Sequence, residues 1–86
     1  VSAREHYSEA GRLLESESRS ARDPERRHLL HFLAASQYFA GGDYAQALKL
    51  VRRVEERYLP EQTRQLLRPF IRDAEERASA SYLPTM

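Results

Sequence analysis

The chain has 86 residues, a formal charge of +1 and no cysteine. Its length gives one domain that buries only about 60–65% of the surface its unfolded form exposes. Its charge supplies no global field toward nucleic acid or an anionic membrane, and the missing cysteine excludes disulfide staples, thiolate zinc sites and a cysteine nucleophile.

No apolar run approaches the ~18–20 residues that span a bilayer, and the N-terminal residues lack the apolar core of a signal peptide, so no membrane insertion and a cytoplasmic location are expected. Thirteen of the fourteen cations are arginine, Lys49 being the exception, and asparagine is missing. Most of the arginines are interleaved with Glu and Asp, which fits a solvated surface better than a phosphate-binding one.

Ser2-Ala3-Arg4-Glu5 has the form of a capping box and predicts a first helix over about 3–21. Ala3, Tyr7, Ala10, Leu13, Leu14 and Ala21 make one narrow apolar stripe on it. Gly11, Ser16, Ser18 and Ser20 are weak helix formers, so its second half should fray unless packed. Asp23-Pro24-Glu25 is a strong start signal: a capping carboxylate, a proline whose missing amide costs nothing at the first position, and an acid at the positive end of the dipole. The second helix is predicted over 24–40, with apolar residues around more than half its circumference, and so with neighbours on two sides.

Gly41 and Gly42 end that helix, one of them in the left-handed region, and Asp43 with Gln46 caps a third helix predicted over 44–58. Its stripe is Tyr44, Ala47, Leu48, Val51, Val54 and Tyr58. Pro60 opens a fourth helix over about 60–79, with Leu66, Leu67, Phe70, Ile71, Ala74 and Ala78 on its buried side and a kink expected before Pro69. The chain is therefore expected to be one all-α domain over 1–80 with a loose tail over 81–86.

The central pair of helices resembles a tetratricopeptide repeat, through small Ala35, aromatic Tyr38, turn glycine Gly42, Tyr44 beside the turn, small Ala47, apolar Val51 and Val54, and Pro60 after the second helix. A weaker echo joins Tyr7, Ala10 and Leu14 to Tyr44, Ala47 and Val51. The resemblance covers mainly residues 25–60 and implies antiparallel hairpins from an α-α superhelix. Arg64 to Arg77 is also similar to the last helix of the microtubule-interacting-and-transport type of three-helix domain, which is the alternative.

The repeat resemblance implies a ligand-facing surface on the first helix of the pair, here Leu29, Phe32, Ser36, Phe39 and Ala40. Leu30, Leu33, Ala34 and Tyr38 are then left to meet neighbouring helices. Phe32 and Ser36 stand where the family's two-carboxylate clamp carries Lys and Asn, so a carboxylate-terminated chaperone tail is not the expected ligand. Stacked repeats need about three units to bury their faces, which implies self-association or a place in a longer protein.

Candidate chemistry is sparse. No phosphate loop, nucleophile elbow or HExxH motif is present, and no catalytic residue is assigned. His28 and His31 are close enough on one helix to share a metal, with Glu25 one turn earlier, yet an Arg- and Glu-rich helix carries such histidines without any metal. No metal or cofactor is assigned. Arg19, Arg22, Arg26 and Arg27 form a basic patch that Asp23 and Glu25 dilute, which disfavours nucleic acid. The expected function is that of a non-enzymatic adaptor taking a partner's peptide or helix into an apolar groove. The alternatives are a basic-patch nucleic-acid-binding domain and a structural segment of a larger helical-repeat protein.

Overall fold

A computed structural model describes residues 2–82, with side chains over 2–80. Among them are four α-helices, α1 Ala3–Ser20, α2 Pro24–Ala40, α3 Tyr44–Val51 and α4 Glu61–Tyr82, and a single 3-10 turn, Glu56–Tyr58. The fold is all-helical, and its helices pack against one another in chain order. Its extents of 47 × 30 × 17 Å describe a slab rather than a ball. The radius of gyration of 13.1 Å accordingly exceeds the ~12 Å of a compact domain of this length.

The helix starts follow local chemistry. Ser2 Oγ accepts the Glu5 amide at 3.2 Å, Asp23 accepts that of Arg26 at 3.3 Å, and Asp43 accepts that of Gln46 at 3.3 Å. Each contact satisfies one amide that the first helical turn leaves without a partner. Gly42 takes φ +85°, the left-handed value that lets the chain reverse between α2 and α3. The Pro60 carbonyl accepts the Arg64 amide at 2.8 Å and opens α4, which runs on through exposed Pro69.

The third helix departs from expectation. It ends at Val51 rather than 58, although Arg52-Arg53-Val54-Glu55-Glu56 contains neither glycine nor proline. The Arg53 and Val54 amides bond back only three residues, to Leu50 and Val51, and Glu55 then turns extended at φ −92°, ψ 118°. A contact from another helix accompanies the bend. His28 Nδ1 accepts the Glu55 amide at 3.1 Å, and the His28 ring stacks on Tyr58 with centroids 4.9 Å apart. The bend buries Val54 and Leu59 against the core, where a straight helix would have carried them past it.

The fourth helix starts one residue later than expected and runs to Tyr82, so the expected tail begins as helical backbone at 81–82. The rest of that tail lies outside the described residues.

The main core joins α2, α3, the link and α4. Ala34, Ala35 and Ala47 are fully buried, which brings the helices close, and Leu50, Val51, Leu59 and Leu67 fill the space between them. Helix α1 adds Leu14 to this cluster and meets its Tyr38 ring. It is held to α2 differently: a Cβ on Gly11 would lie 2.8 Å from the Tyr38 ring, so the ring occupies the space of a missing side chain. Burial of Gly11 and Ser18 against α2 is what packs the serine-rich half of α1.

Candidate binding site

Three contacts set the relation of α2 to α4. Phe70 lies 5.3 Å from Phe32 and 5.1 Å from Phe39 between ring centroids, and the Arg77 guanidinium stands 5.4 Å over the Phe39 ring. Near the other end, Leu29 shares a cleft with Glu61 and Arg64. The contacts advance together along both helices, so α2 and α4 run in the same direction, with α3 returning between them.

This arrangement divides the five residues expected on a ligand-facing surface. Phe32 is 6% exposed and belongs to the core, and Phe39 is half-buried beside Phe70 and Tyr44. The surface expected to receive a partner at these two rings is occupied by the chain's own α4. Leu29 and Ser36 are half-buried and Ala40 is exposed. Spaced by four and three residues through Leu33, they form a stripe along one side of α2. Leu33 was expected to meet a neighbouring helix, but it is 40% exposed. The reason is angular: Phe32 and Leu33 lie about 100° apart on the helix, and α4 covers only the former.

On α4, Leu66 is 59% exposed and precedes Phe70 by four residues, which places it one turn away on the side that faces α2. Leu33 and Leu66 are thus exposed leucines on the two helices that the Phe32–Phe70 ring contact joins. The spacing predicts Leu66 on the buried side of α4, but the side chain is exposed.

Near the N-terminal ends of α2 and α4 is a cleft of about 560 Å³ lined by Leu29, Tyr58, Leu59, Pro60 and six charged side chains. Arg26, Arg57 and Arg64 are balanced there by Asp23, Glu25 and Glu61. All three arginines are also engaged: Arg26 pairs with Glu17 at 3.8 Å, Arg57 pairs with Glu55 at 3.3 Å and lies over the Tyr58 ring, and Arg64 donates to the Leu59 carbonyl at 3.1 Å. A cleft with balanced charge offers no strong preference for an anion.

The two histidines turn to different neighbours. His28 receives the Glu55 amide, whereas His31 Nδ1 lies 3.0 Å from Ser18 Oγ on α1. The Ser18 hydroxyl donates to the Glu15 carbonyl at 2.7 Å, so it accepts from His31, whose Nε2 is buried without a hydrogen-bond partner. Burial is the main force holding both imidazoles below their ordinary value of 6.5; for His28 it outweighs the opposing pull of the Glu55 carboxylate. Among the described residues no three His, Cys, Asp or Glu side chains are placed to share a metal ion.

The basic patch is partly neutralised. Arg19 pairs with Glu15 at 3.4 Å, Arg26 with Glu17 at 3.8 Å, and Arg27 donates to the Ala21 carbonyl at 3.4 Å. No helix among the described residues is long and apolar enough to cross a membrane. Compared with known proteins, the chain matches no family model, no curated protein and no solved structure.

Proposed function

We propose that this chain is a non-enzymatic interaction module of tetratricopeptide-like design that receives an apolar helix or extended segment of a partner protein between α2 and α4. The observation that carries this reading is the exposure of Leu33 on α2 and Leu66 on α4, the two helices joined by the Phe32–Phe70 ring contact. Leucines left 40% and 59% exposed on adjacent helices become favourable on association, at ~25 cal/mol for each Å² covered. Supporting it are the common direction of α2 and α4, the close α2–α3 hairpin at Ala35 and Ala47, and the glycine reversal at Gly42. Binding of an amphipathic helix on such a surface uses apolar anchors one turn apart.

The test is selection of helical peptides from a random library, followed by affinity measurement on surface variants. Leu33→Glu and Leu66→Glu should each weaken selected peptides more than tenfold while the helical circular dichroism is retained. Leu13→Glu should leave affinity unchanged, because Leu13 is exposed on α1 rather than on α2 or α4. Equal affinity across the three variants would place binding elsewhere.

A further inference from the structure

We propose that His28 is an acid-released latch: its neutral ring holds the link over 52–60 against α2, and its protonation frees that link and opens the cleft between the N-terminal ends of α2 and α4. The latch is independent of the partner-binding reading. It stands on a hydrogen bond that only one protonation state of the ring can make.

His28 Nδ1 accepts the Glu55 amide at 3.1 Å, so the neutral ring must carry its proton on Nε2. That Nε2 lies 3.4 Å from Glu55 Oε2, and the ring face rests on Tyr58. Protonation adds a hydrogen at Nδ1, which then meets the amide hydrogen of Glu55 donor to donor. The imidazolium keeps its attraction to the Glu55 carboxylate on the Nε2 side. It cannot keep the backbone bond, which ties the link at Glu55 to α2.

The charged surroundings act in both directions. From the link, Glu55 favours the protonated ring and Arg57 opposes it; from α2, Arg27 opposes it. His31, one turn along, faces His28 within α2, Arg53 from the link, and Glu15 and Arg19 from α1. Burial, with Arg27 and Arg57, lowers the His28 pKa from its ordinary value of 6.5 and so favours the neutral ring.

The other holds on the link are the buried Val54 and Leu59, half-buried Tyr58, the Arg64 bond to the Leu59 carbonyl, and two exposed ion pairs to α4, Arg52–Glu75 at 3.1 Å and Arg68–Glu56 at 3.9 Å, of a kind that adds little to stability. Tyr58, Leu59 and Pro60 also form one wall of the 560 Å³ cleft. Releasing the link therefore uncovers Leu29 and widens this cleft. A segment held by few buried contacts opens locally before the core does.

Amide hydrogen exchange of the full chain, corrected for the intrinsic pH dependence of exchange, tests the latch. Between pH 7.5 and 5.0, protection at Glu55 should fall at least tenfold in step with the titration of His28, while the Ala35 and Ala47 amides keep theirs. His28→Asn, whose side-chain oxygen can accept the same amide without titrating, should abolish the fall. Unchanged Glu55 protection through the His28 titration would overturn the latch, as would an equal fall in His28→Asn or simultaneous loss at Ala35 and Ala47. Should that variant not fold, the nitrogen-15 shifts of His28 at pH 7.5 decide: a proton-free Nδ1 supports the latch, and a protonated Nδ1 overturns it.

Discussion

The two sides of α2 are held by different physics. Toward α3 and α4 it presents Phe32 and Ala35 to Ala47, Leu50, Val51, Leu67 and Phe70, a contact built from apolar area and close approach. Toward α1 it presents Tyr38 and His31, which meet a glycine, a buried serine and a carboxylate: Tyr38 fills the space over Gly11 and donates to Glu15 Oε1 at 2.9 Å, and His31 meets Ser18. Burial tolerates changes of detail and fails when volume is lost, whereas a polar seam depends on each partner and fails when one atom is added or removed. The first side should thus supply most of the stability, and the second should fix where α1 lies.

The largest test of that contrast is Phe32→Asp, which places a charge in the aromatic contact at 6% exposure and should remove the cooperative thermal transition altogether. Leu50→Ala comes next, with an expected loss of about 2–5 kcal/mol in urea denaturation, because Leu50 is 1% exposed and α3 is too short to close over the cavity.

Gly11→Ala sharpens the comparison from the other side. Helix propensity alone favours alanine by ~1 kcal/mol, yet the added Cβ meets a ring held at both its face and its hydroxyl. A net loss of about 1–2 kcal/mol is expected from overpacking. In a Tyr38→Leu background the same substitution should become neutral or stabilising, and additivity of the two changes would show that the contact does not limit the approach of α1. Tyr38→Phe, which removes only the hydroxyl, should cost about 1 kcal/mol.

Proton linkage separates the two sides more gently. Burial, reinforced by the bond to Glu15, pushes the Tyr38 phenol up to about 12 from 10.0. In the unfolded chain the phenol ionises first, so this contribution is complete below pH 10 and is lost as pH rises from 10 toward 12. Spectrophotometric titration should show one of the five tyrosines ionising late, and in Tyr38→Phe that late phase should vanish. His28 and His31, both lowered by burial, act at the other extreme. Their contribution is complete above 6.5 and declines as pH falls below it, because the unfolded chain then binds more protons. A denaturation midpoint unchanged between pH 7.5 and 5 would contradict both assignments.

The smallest expected effect belongs to the open stripe. Leu33→Asp should shift stability by no more than about 0.5 kcal/mol, beside complete unfolding for the adjacent Phe32→Asp. The pair tests directly where α4 stops covering α2.

The capping residues and turn glycines were legible because each acts within about three residues of itself. Ser2, Asp23-Pro24 and Gly42-Asp43 mark the observed helix starts and the reversal, and the all-helical fold follows from them and from the apolar spacing. Candidate-site residues were less legible. The spacing marks Leu29, Phe32, Leu33, Ser36, Phe39 and Ala40 as a broad, mostly apolar surface, but adjacent positions on a helix differ only in azimuth, and a neighbour decides which azimuth is covered. Leu50 and Leu59, both at most 3% exposed, lay outside the stripes read from spacing because α3 and the link close on them from more than one direction.

What the sequence by itself determined, then, is where helices begin, where the chain reverses, and that α2 needs neighbours on two sides. Tertiary structure alone decided where α3 ends, that Gly11 is a seat for Tyr38, and that Phe32 lies under α4 while Leu33 faces water. The reason is range: a cap is satisfied by amides three residues away, whereas the His28 contact that holds the chain at Glu55 joins residues 27 apart in sequence. Such a contact exists only after the helices have met.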